Sequence, residues 1–217
     1  MIIFVQNAQQ STNGIAQKLS GYSNTFGTNF TCQNIKIDLF CFQESGSASD
    51  LGKLNTSITS IQINVNAWLT DNNNPNDRTA LFTFDATGQG NCVEQIIHSG
   101  LNWNRECLIW KNHSTIIANV HLTSGNPKRA KDEFLSIINL LENKYKNRTC
   151  AIVGDLNFDL NSESTLIPNG WFYDNGGQHQ SGKYLDWVVS NKPINVFHRN
   201  PYYMSGSDHP YYIVDIG

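Results

Sequence analysis

Asp155 and Asn157 stand two residues apart at the end of the apolar run Ala151-Ile-Val-Gly154. In an extended chain residues i and i+2 point to one side, so a carboxylate and an amide are presented together where a strand stops. That pair can hold a hard cation, a water or a phosphate oxygen. It can equally be turn chemistry after a strand, which Asp and Asn favour. More polar residues sit at the ends of other apolar runs. They are Asn7, Glu44 after Leu39-Phe-Cys-Phe-Gln43, His121 after Ile116–Val120, and Asp208-His209 ahead of Tyr211–Ile216. Each has an ordinary reading: a solvated strand end for Glu44, a satisfied core histidine for His121, a turn before Pro210 for Asp208-His209. Asp186 is harder to dismiss. It lies between Leu185 and Trp187, and a carboxylate among apolar side chains is costly to bury without a partner. A histidine brought near by the fold would supply one.

The elements that must position these residues are mostly strands. Ile2 to Ala8 alternates loosely, Ile35 to Phe42 is an apolar run, and Ser57 to Trp68 alternates as a half-buried strand does. Leu81 to Asp85 and Gln95 to Ser99 are shorter strand candidates. Glu106–Trp110 and Ser114–His121 form a hairpin pattern around Lys111-Asn-His113, and Lys183–Ser190 and Tyr211–Ile216 complete the set. Ser11-Thr-Asn-Gly ahead of Ile15–Leu19 reads as a short capped helix. Lys131 to Lys144 carries apolar residues at 134, 135, 137, 138, 140 and 141, the face of an amphipathic helix. Polar residues therefore gather where strands end, and loops at one edge of a sheet scaffold are where sites are built.

The 217 residues suit one α/β or all-β domain, with neither internal repeats nor an evident linker. With 15 Lys+Arg and a net charge of −3 there is no global basic signature for nucleic acid, so any phosphate-binding surface must be local. The best local cationic cluster is Lys128, Arg129 and Lys131, which also fits a solvated helix start. No apolar run reaches the 18 residues of a membrane span. The start of the chain lacks the basic and apolar regions of a signal peptide, though a processed secreted chain would look the same, so the compartment stays open. The five cysteines contain no C-x-x-C pair, which argues against zinc. Cys41 and Cys150 read as small core residues, and a Cys92–Cys107 bridge is open on spacing.

Taken in order, the segments Gln6-Asn7-Ala-Gln9, Asp38–Glu44, Asn119-Val-His121-Leu-Thr-Ser124, Gly154-Asp155-Leu-Asn157, Leu185-Asp186-Trp-Val-Val and Ser207-Asp208-His209 resemble the endonuclease/exonuclease/phosphatase superfamily, whose best-known type is deoxyribonuclease I. The resemblance spans residues 6 to 209, nearly the whole chain. Within the superfamily, Gln43-Glu44-Ser-Gly-Ser47, His121-Leu-Thr-Ser-Gly125 and Arg105 look most like the catalytic B subunits of cytolethal distending toxins. Residues 50 to 100 resemble nothing in that family. The resemblance implies a single domain over 1–217. Its fold would be a four-layer α-β-β-α sandwich, two mostly antiparallel sheets packed face to face with helices outside.

It also implies chemistry. Phosphodiester hydrolysis needs an activated water, neutralised charge on the phosphorane and a stabilised leaving oxygen. By resemblance, Glu44 is the ligand of Mg²⁺ (or Mn²⁺ or Ca²⁺), with Asn7 and Asp208 able to reach the same ion. His209 is the general base, held in its tautomer by Asp186. Asp155 positions the water or contacts the metal, Asn157 donates to a phosphate oxygen, and His121 stabilises the leaving group. Arg105 is a phosphate clamp or, on a plainer reading, a surface Arg ahead of a strand. The implied substrate is DNA. The toxin likeness adds delivery subunits as partners and a secreted protein acting in the host nucleus. The same site would also serve a phosphatase acting on phosphoinositides or other phosphate esters, which the weak basic content favours. A catalytically dead binding module on the same fold is the third reading, and the presence of both His121 and His209 argues against it.

Overall fold

The computed structural model describes residues 1–7, 31–32, 35–44, 66–69, 79–83, 93–97, 106–200 and 207–217. Two six-stranded sheets make up most of it. In the first, β1 (Ile2–Asn7) lies between β4 (Leu39–Gln43), which runs parallel to it, and the antiparallel β14 (Tyr211–Ile216). β13 (Ile194–Asn200) closes one edge, and β6 (Thr79–Thr83) with β5 (Asn66–Leu69) the other. In the second sheet β10 (Thr149–Asp155) pairs in parallel with β9 (Thr115–His121) and antiparallel with β12 (Asp186–Ser190). Around these lie β11 (Phe172–Asn175) on one edge and β8 (Glu106–Lys111) and β7 (Val93–Ile97) on the other. A two-stranded ribbon, β2 (Thr31–Cys32) with β3 (Ile35–Lys36), stands apart.

Side-chain parity on each strand explains the layers. Ile3, Val5, Leu39 and Cys41 of the first sheet and Leu108, Ile117, Ala151, Val153 and Val188 of the second share one core between the sheets. Residues of opposite parity on the second sheet, Ile109, Ile116, Ala118, Ile152 and Val189, pack instead against α1 (Pro127–Lys144). The second sheet is thus buried on both faces, and its central strands read as near-continuous apolar runs for that reason. On the far face of the first sheet, Phe4 stacks on Tyr211 at 5.2 Å between ring centres and meets Phe40 at 5.4 Å. This is the expected α/β sandwich of two mostly antiparallel sheets face to face. Among the described residues no helix is long and apolar enough to cross a membrane.

Several local expectations change. The apolar run from Ile35 to Phe42 is two strands. It breaks at Asp38, whose side chain accepts the Ile2 N–H at 2.9 Å while its own N–H goes to the Ile2 carbonyl. Helix α1 begins at Pro127, four residues before Lys131. Asn126 caps it by accepting the Arg129 N–H, and proline suits the first helical turn. The last strand of the second sheet starts at Asp186, not Lys183, because Lys183 belongs to a tight loop. Cys107 is a buried free thiol whose cross-strand partner is Ile96, so the Cys92–Cys107 bridge does not form. The helix expected over 11–19, residues 57–65 of the strand expected over 57–68, the turn at 71–78 and Arg105 lie outside the described residues, while 66–68 fall in β5.

Candidate active site

Register brings the polar residues to one edge. Asp155 is the last residue of β10, and its cross-strand partners are His121 on the parallel β9 and Asp186 on the antiparallel β12. Asn7 and Gln43 end the parallel pair β1 and β4 opposite each other. Parallel strands end together and their antiparallel neighbours begin there. The carboxyl ends of four strands, the start of β12 and the segment before β14 therefore meet. Ser207 ties that last segment down: its hydroxyl donates to the Asn7 carbonyl at 2.8 Å and accepts the His209 N–H at 3.1 Å.

Close backbone approach fixes the two sheets behind this edge. Gly154 has φ +126°, and a Cβ there would stand 2.2 Å from the Val120 carbonyl oxygen. Its N–H donates to the buried Tyr212 hydroxyl at 3.2 Å, which itself donates to the Trp187 carbonyl at 2.7 Å. Gln43 reaches from the first sheet to donate to Asn119 on the second, and Asn119 donates to the Phe42 carbonyl at 3.1 Å.

At the edge itself, the Asn7 amide N–H₂ donates to Glu44 Oε1 at 3.1 Å and to Asp155 Oδ2 at 3.0 Å. His121 Nε2 lies 3.5 Å from Glu44 and 3.7 Å from Asp155. Glu44, His121 and Asp155 thus form one group whose ligand atoms lie within 4.8 Å of one another. Glu44 holds a left-handed backbone at φ 48°, a strained conformation for a residue with a Cβ, of the kind that collects at functional sites. Asn7 faces the carboxylates with its nitrogen, so here it ties Glu44 to Asp155; as a metal ligand it would have to offer its oxygen.

His209 forms the second half of the site. Its Nδ1 meets the fully buried Asp186 at 2.7 Å, and its Nε2 lies 3.7 Å from Asp155 and 3.6 Å from Asp208. Burial alone would pull the imidazolium down, but Asp186, then Asp155 and Asp208, push its pKa up to about 10. Burial pushes the Asp155 carboxyl up to about 7, against the pull of His209, with Asp186 adding to the rise. The three carboxylates all favour the charged ring, whereas the expected base role requires a neutral one.

Two sequence-based placements differ. The chain turns directly after Asp155, so Asp155 and Asn157 do not lie side by side along an extended strand. Asp155 Oδ1 accepts the Asn157 N–H at 2.8 Å, Asn157 takes φ 57°, and its side chain donates to the Leu122 carbonyl at 2.9 Å. Asp208 stands with His209 and His179, a second group of ligand atoms within 4.8 Å of one another, and outside the group formed by Glu44. His179 was not foreseen. It comes from the loop between β11 and β12, where no apolar periodicity marks it, and Gly176-Gly177 before it and Gly182 after it are the only signal. Glu133 was also not foreseen. It is buried on α1 and accepts both the N–H (2.7 Å) and the hydroxyl of Thr123, so it holds the segment that follows His121.

The donor set fits a hard divalent cation. The Glu44 and Asp155 carboxylates converge within 4.8 Å of each other and of His121, and burial pushes the Asp155 carboxyl up to about 7.

No protein-family model and no curated protein sequence matches this chain. Solved structures do match it. CdtB, the biologically active subunit of cytolethal distending toxin, superposes with a TM-score of 0.73 at 12% identity, covering 100% of this chain and 97% of that one. An endonuclease/exonuclease/phosphatase family protein from Leptotrichia buccalis gives 0.69 at 15% identity, covering 100% and 99%. D. rerio TDP2, complexed with single strand DNA product, gives 0.68 at 11% identity, covering 99% and 98%. The chain has the fold of the endonuclease/exonuclease/phosphatase proteins over its whole length.

Proposed function

We propose that this protein is a divalent-metal-dependent phosphodiester hydrolase whose substrate is DNA. The observation that carries the reading is the buried Asp186–His209 pair at 2.7 Å, which opens onto Asp155 on the same strand edge as Glu44 and His121. A carboxylate–imidazole pair aimed at a cluster of hard oxygen donors suits reaction at phosphorus, where anionic charge builds in the transition state. Glu44 and Asp155 would hold Mg²⁺, with Mn²⁺ or Ca²⁺ as substitutes, and Asn7 would keep the two carboxylates together. The cation supplies charge neutralisation at a phosphate oxygen.

The chain's own groups do the rest. His209, fixed by Asp186, donates a proton or hydrogen bond from Nε2 to a non-bridging oxygen. Asp155 orients the attacking water and accepts its proton. Asn157 offers its remaining amide N–H to the phosphate, and His121 faces the leaving oxygen. Arg105 keeps its proposed role as a phosphate clamp.

DNA as substrate draws support from the fold shared with TDP2, which was solved with a single strand DNA product. The toxin reading rests on CdtB alone; it adds delivery subunits and a host nucleus as destination, and is tested by introducing wild-type and His209→Ala protein into cells and scoring DNA breaks. A phosphatase on a smaller phosphate ester is the second reading. It is favoured by the net charge of −3 and by ion pairs that occupy two of the three cations at the helix start, Arg129 with Glu133 at 3.4 Å and Lys131 with Glu163 at 2.5 Å.

The test is nicking of supercoiled plasmid by EDTA-stripped protein as Mg²⁺ is titrated in. Activity should be absent without metal and restored by it. A full rate in stripped protein overturns the metal role. Intact plasmid alongside cleavage of a phosphoinositide or other small ester replaces the nuclease by the phosphatase.

A further inference from the structure

We infer that His179 is a positioning residue that restrains Asp208, keeping that carboxylate from closing onto His209 Nε2. The inference rests on the hydrolase reading for its consequence in catalysis, and on geometry alone for the restraint itself.

His179 sits in a loop that is closed on itself and tied to the site. Its N–H donates to the Lys183 carbonyl at 2.8 Å, and the Gly182 N–H returns to the His179 carbonyl at 2.8 Å. The neighbouring Gln180 N–H donates to the Asp208 carbonyl at 3.1 Å, so the loop and the Asp208 backbone are fixed to each other. The ring is fixed as well. The Ser181 N–H donates to His179 Nδ1 at 2.9 Å, and the Ser181 hydroxyl lies 2.7 Å from the same nitrogen. An Nδ1 that accepts a hydrogen bond leaves the proton on Nε2, and Nε2 lies 3.0 Å from Asp208 Oδ2. The side chain is 12% exposed, and its ring meets the His209 ring edge-on at 4.5 Å between centres and 72°.

The distances around Asp208 show what this achieves. Its Oδ2 is within hydrogen-bond length of His179, while its Oδ1 is 3.6 Å from His209 Nε2, beyond a good hydrogen bond. His209 Nδ1 is already committed to Asp186 at 2.7 Å. Nε2 is the ring's other polar atom and the one that must face a phosphate oxygen. A carboxylate that moved in by about 1 Å would form a close ion pair with Nε2 and occupy it. The hydrogen bond from His179 holds the carboxylate back. Asp186 and Asp208 thereby act differently on one ring, the first bonded to it and the second kept off it.

The experiment pairs kinetics with a readout independent of turnover. His179→Phe keeps a ring against His209 but removes the donor. His179→Gln keeps an N–H donor near the Nε2 position. Should His179→Phe not fold, His179→Leu takes its place. On plasmid or bis(p-nitrophenyl) phosphate, His179→Phe is expected to lower kcat roughly 10–100-fold with KM little changed, and His179→Gln should stay within about threefold of wild type.

In a background of Asp208→Asn, which removes the charge that closes onto the ring, His179→Phe should cost no more than about twofold, a non-additivity that only coupled residues show. In parallel, the ¹⁵N-labelled His209 ring should show its Nε2–H signal moved downfield in His179→Phe, and returned towards the wild-type position in the double variant. An equal loss in both backgrounds, or a His209 signal unmoved by His179→Phe, overturns the inference. Wild-type protein inert towards every phosphodiester removes the hydrolase reading instead, and the His209 signal still decides the restraint.

Discussion

The two histidines that flank Asp208 differ in what their Nδ1 atoms touch. His209 Nδ1 meets the Asp186 carboxylate, whereas His179 Nδ1 accepts the Ser181 backbone N–H. Replacing His209 by Ala should lower kcat by about 10²–10⁴ while circular dichroism stays native. Asp186→Asn should cost less, because Asp186 orients the ring and never meets the substrate; an Asp186→Asn variant slower than His209→Ala would reverse that assignment. Asp155 makes a pH prediction. Its carboxyl, raised by burial from 3.8 to about 7, binds its proton more tightly in the folded chain than in the unfolded one. The stability this contributes is complete below about pH 3.8 and is lost as pH rises through about 7. His209, raised from 6.5 to about 10, adds stability that is complete below about 6.5 and lost as pH rises through about 10. Metal-free protein should therefore lose stability steadily from about pH 4 to about pH 10. Asp155→Asn removes the first of these losses. Its melting temperature should exceed wild type at pH 8–9, by about 2–4 °C for each kcal/mol gained, and the gap should narrow as pH falls from about 7 and close near about pH 4. Added Mg²⁺ should raise the wild-type midpoint at pH 8 and leave that of Asp155→Asn nearly unmoved.

At the scale of elements, β10 decides where the site can be. Gly154 lets its chain pass so close to β9 that the Val120 carbonyl occupies the place of a side chain, and φ +126° bars other residues in any case. Gly154→Ala should cost more than about 3 kcal/mol in urea unfolding, among the largest losses a single substitution gives. Gly125 has φ +73° and open space around it, so Gly125→Ala should cost only about 1–2 kcal/mol. A similar loss at both positions would mean that the close contact at Gly154 is relieved elsewhere. The same physics explains what the sequence disclosed. β9, β10, β12 and β14 bury both faces, and their apolar runs stand out. β11 does not stand out, since Phe172 and Tyr173 are its exposed large apolar residues and its pattern does not alternate. Strand ends carrying Asn7, Glu44, His121, Asp155 and Asp186 were legible because a polar residue closing an apolar run is conspicuous. His179 was not, because it lies in a polar loop and its partner Asp208 is remote in sequence. Glu133 was hidden for the opposite reason: a glutamate on an amphipathic helix reads as solvated, and only the fold brings Thr123 to it.

For the molecule as a whole, the site exists only while the two sheets stay in register, since Asn7 and Glu44 come from one and His121, Asp155 and Asp186 from the other. The Tyr212 hydroxyl bridges the sheets, and Tyr212→Phe leaves the buried Gly154 N–H and Trp187 carbonyl short of a partner, a loss of about 1–3 kcal/mol. Substrate choice is also a whole-molecule property. With 15 basic against 18 acidic residues, long-range attraction to a polyanion is absent, so binding to duplex DNA must come from individual phosphate contacts near the site. The start of α1 lies close in sequence to the segment after His121, but its three cations are not equivalent there. Arg129 is one-third exposed and paired with the buried Glu133, Lys131 is paired with Glu163, and Lys128 is exposed. Binding of His209→Ala protein to a short duplex should weaken between low and physiological salt. Lys128→Ala should lower the slope of log K against log salt by about 0.9, the value of one phosphate contact. Arg129→Ala should instead leave Glu133 with an uncompensated buried charge and show up in thermal stability, with the salt slope nearly unchanged. If Lys128→Ala leaves the slope as it was, helix α1 faces away from the bound duplex, and the phosphate contacts must be sought on the other strand-end loops.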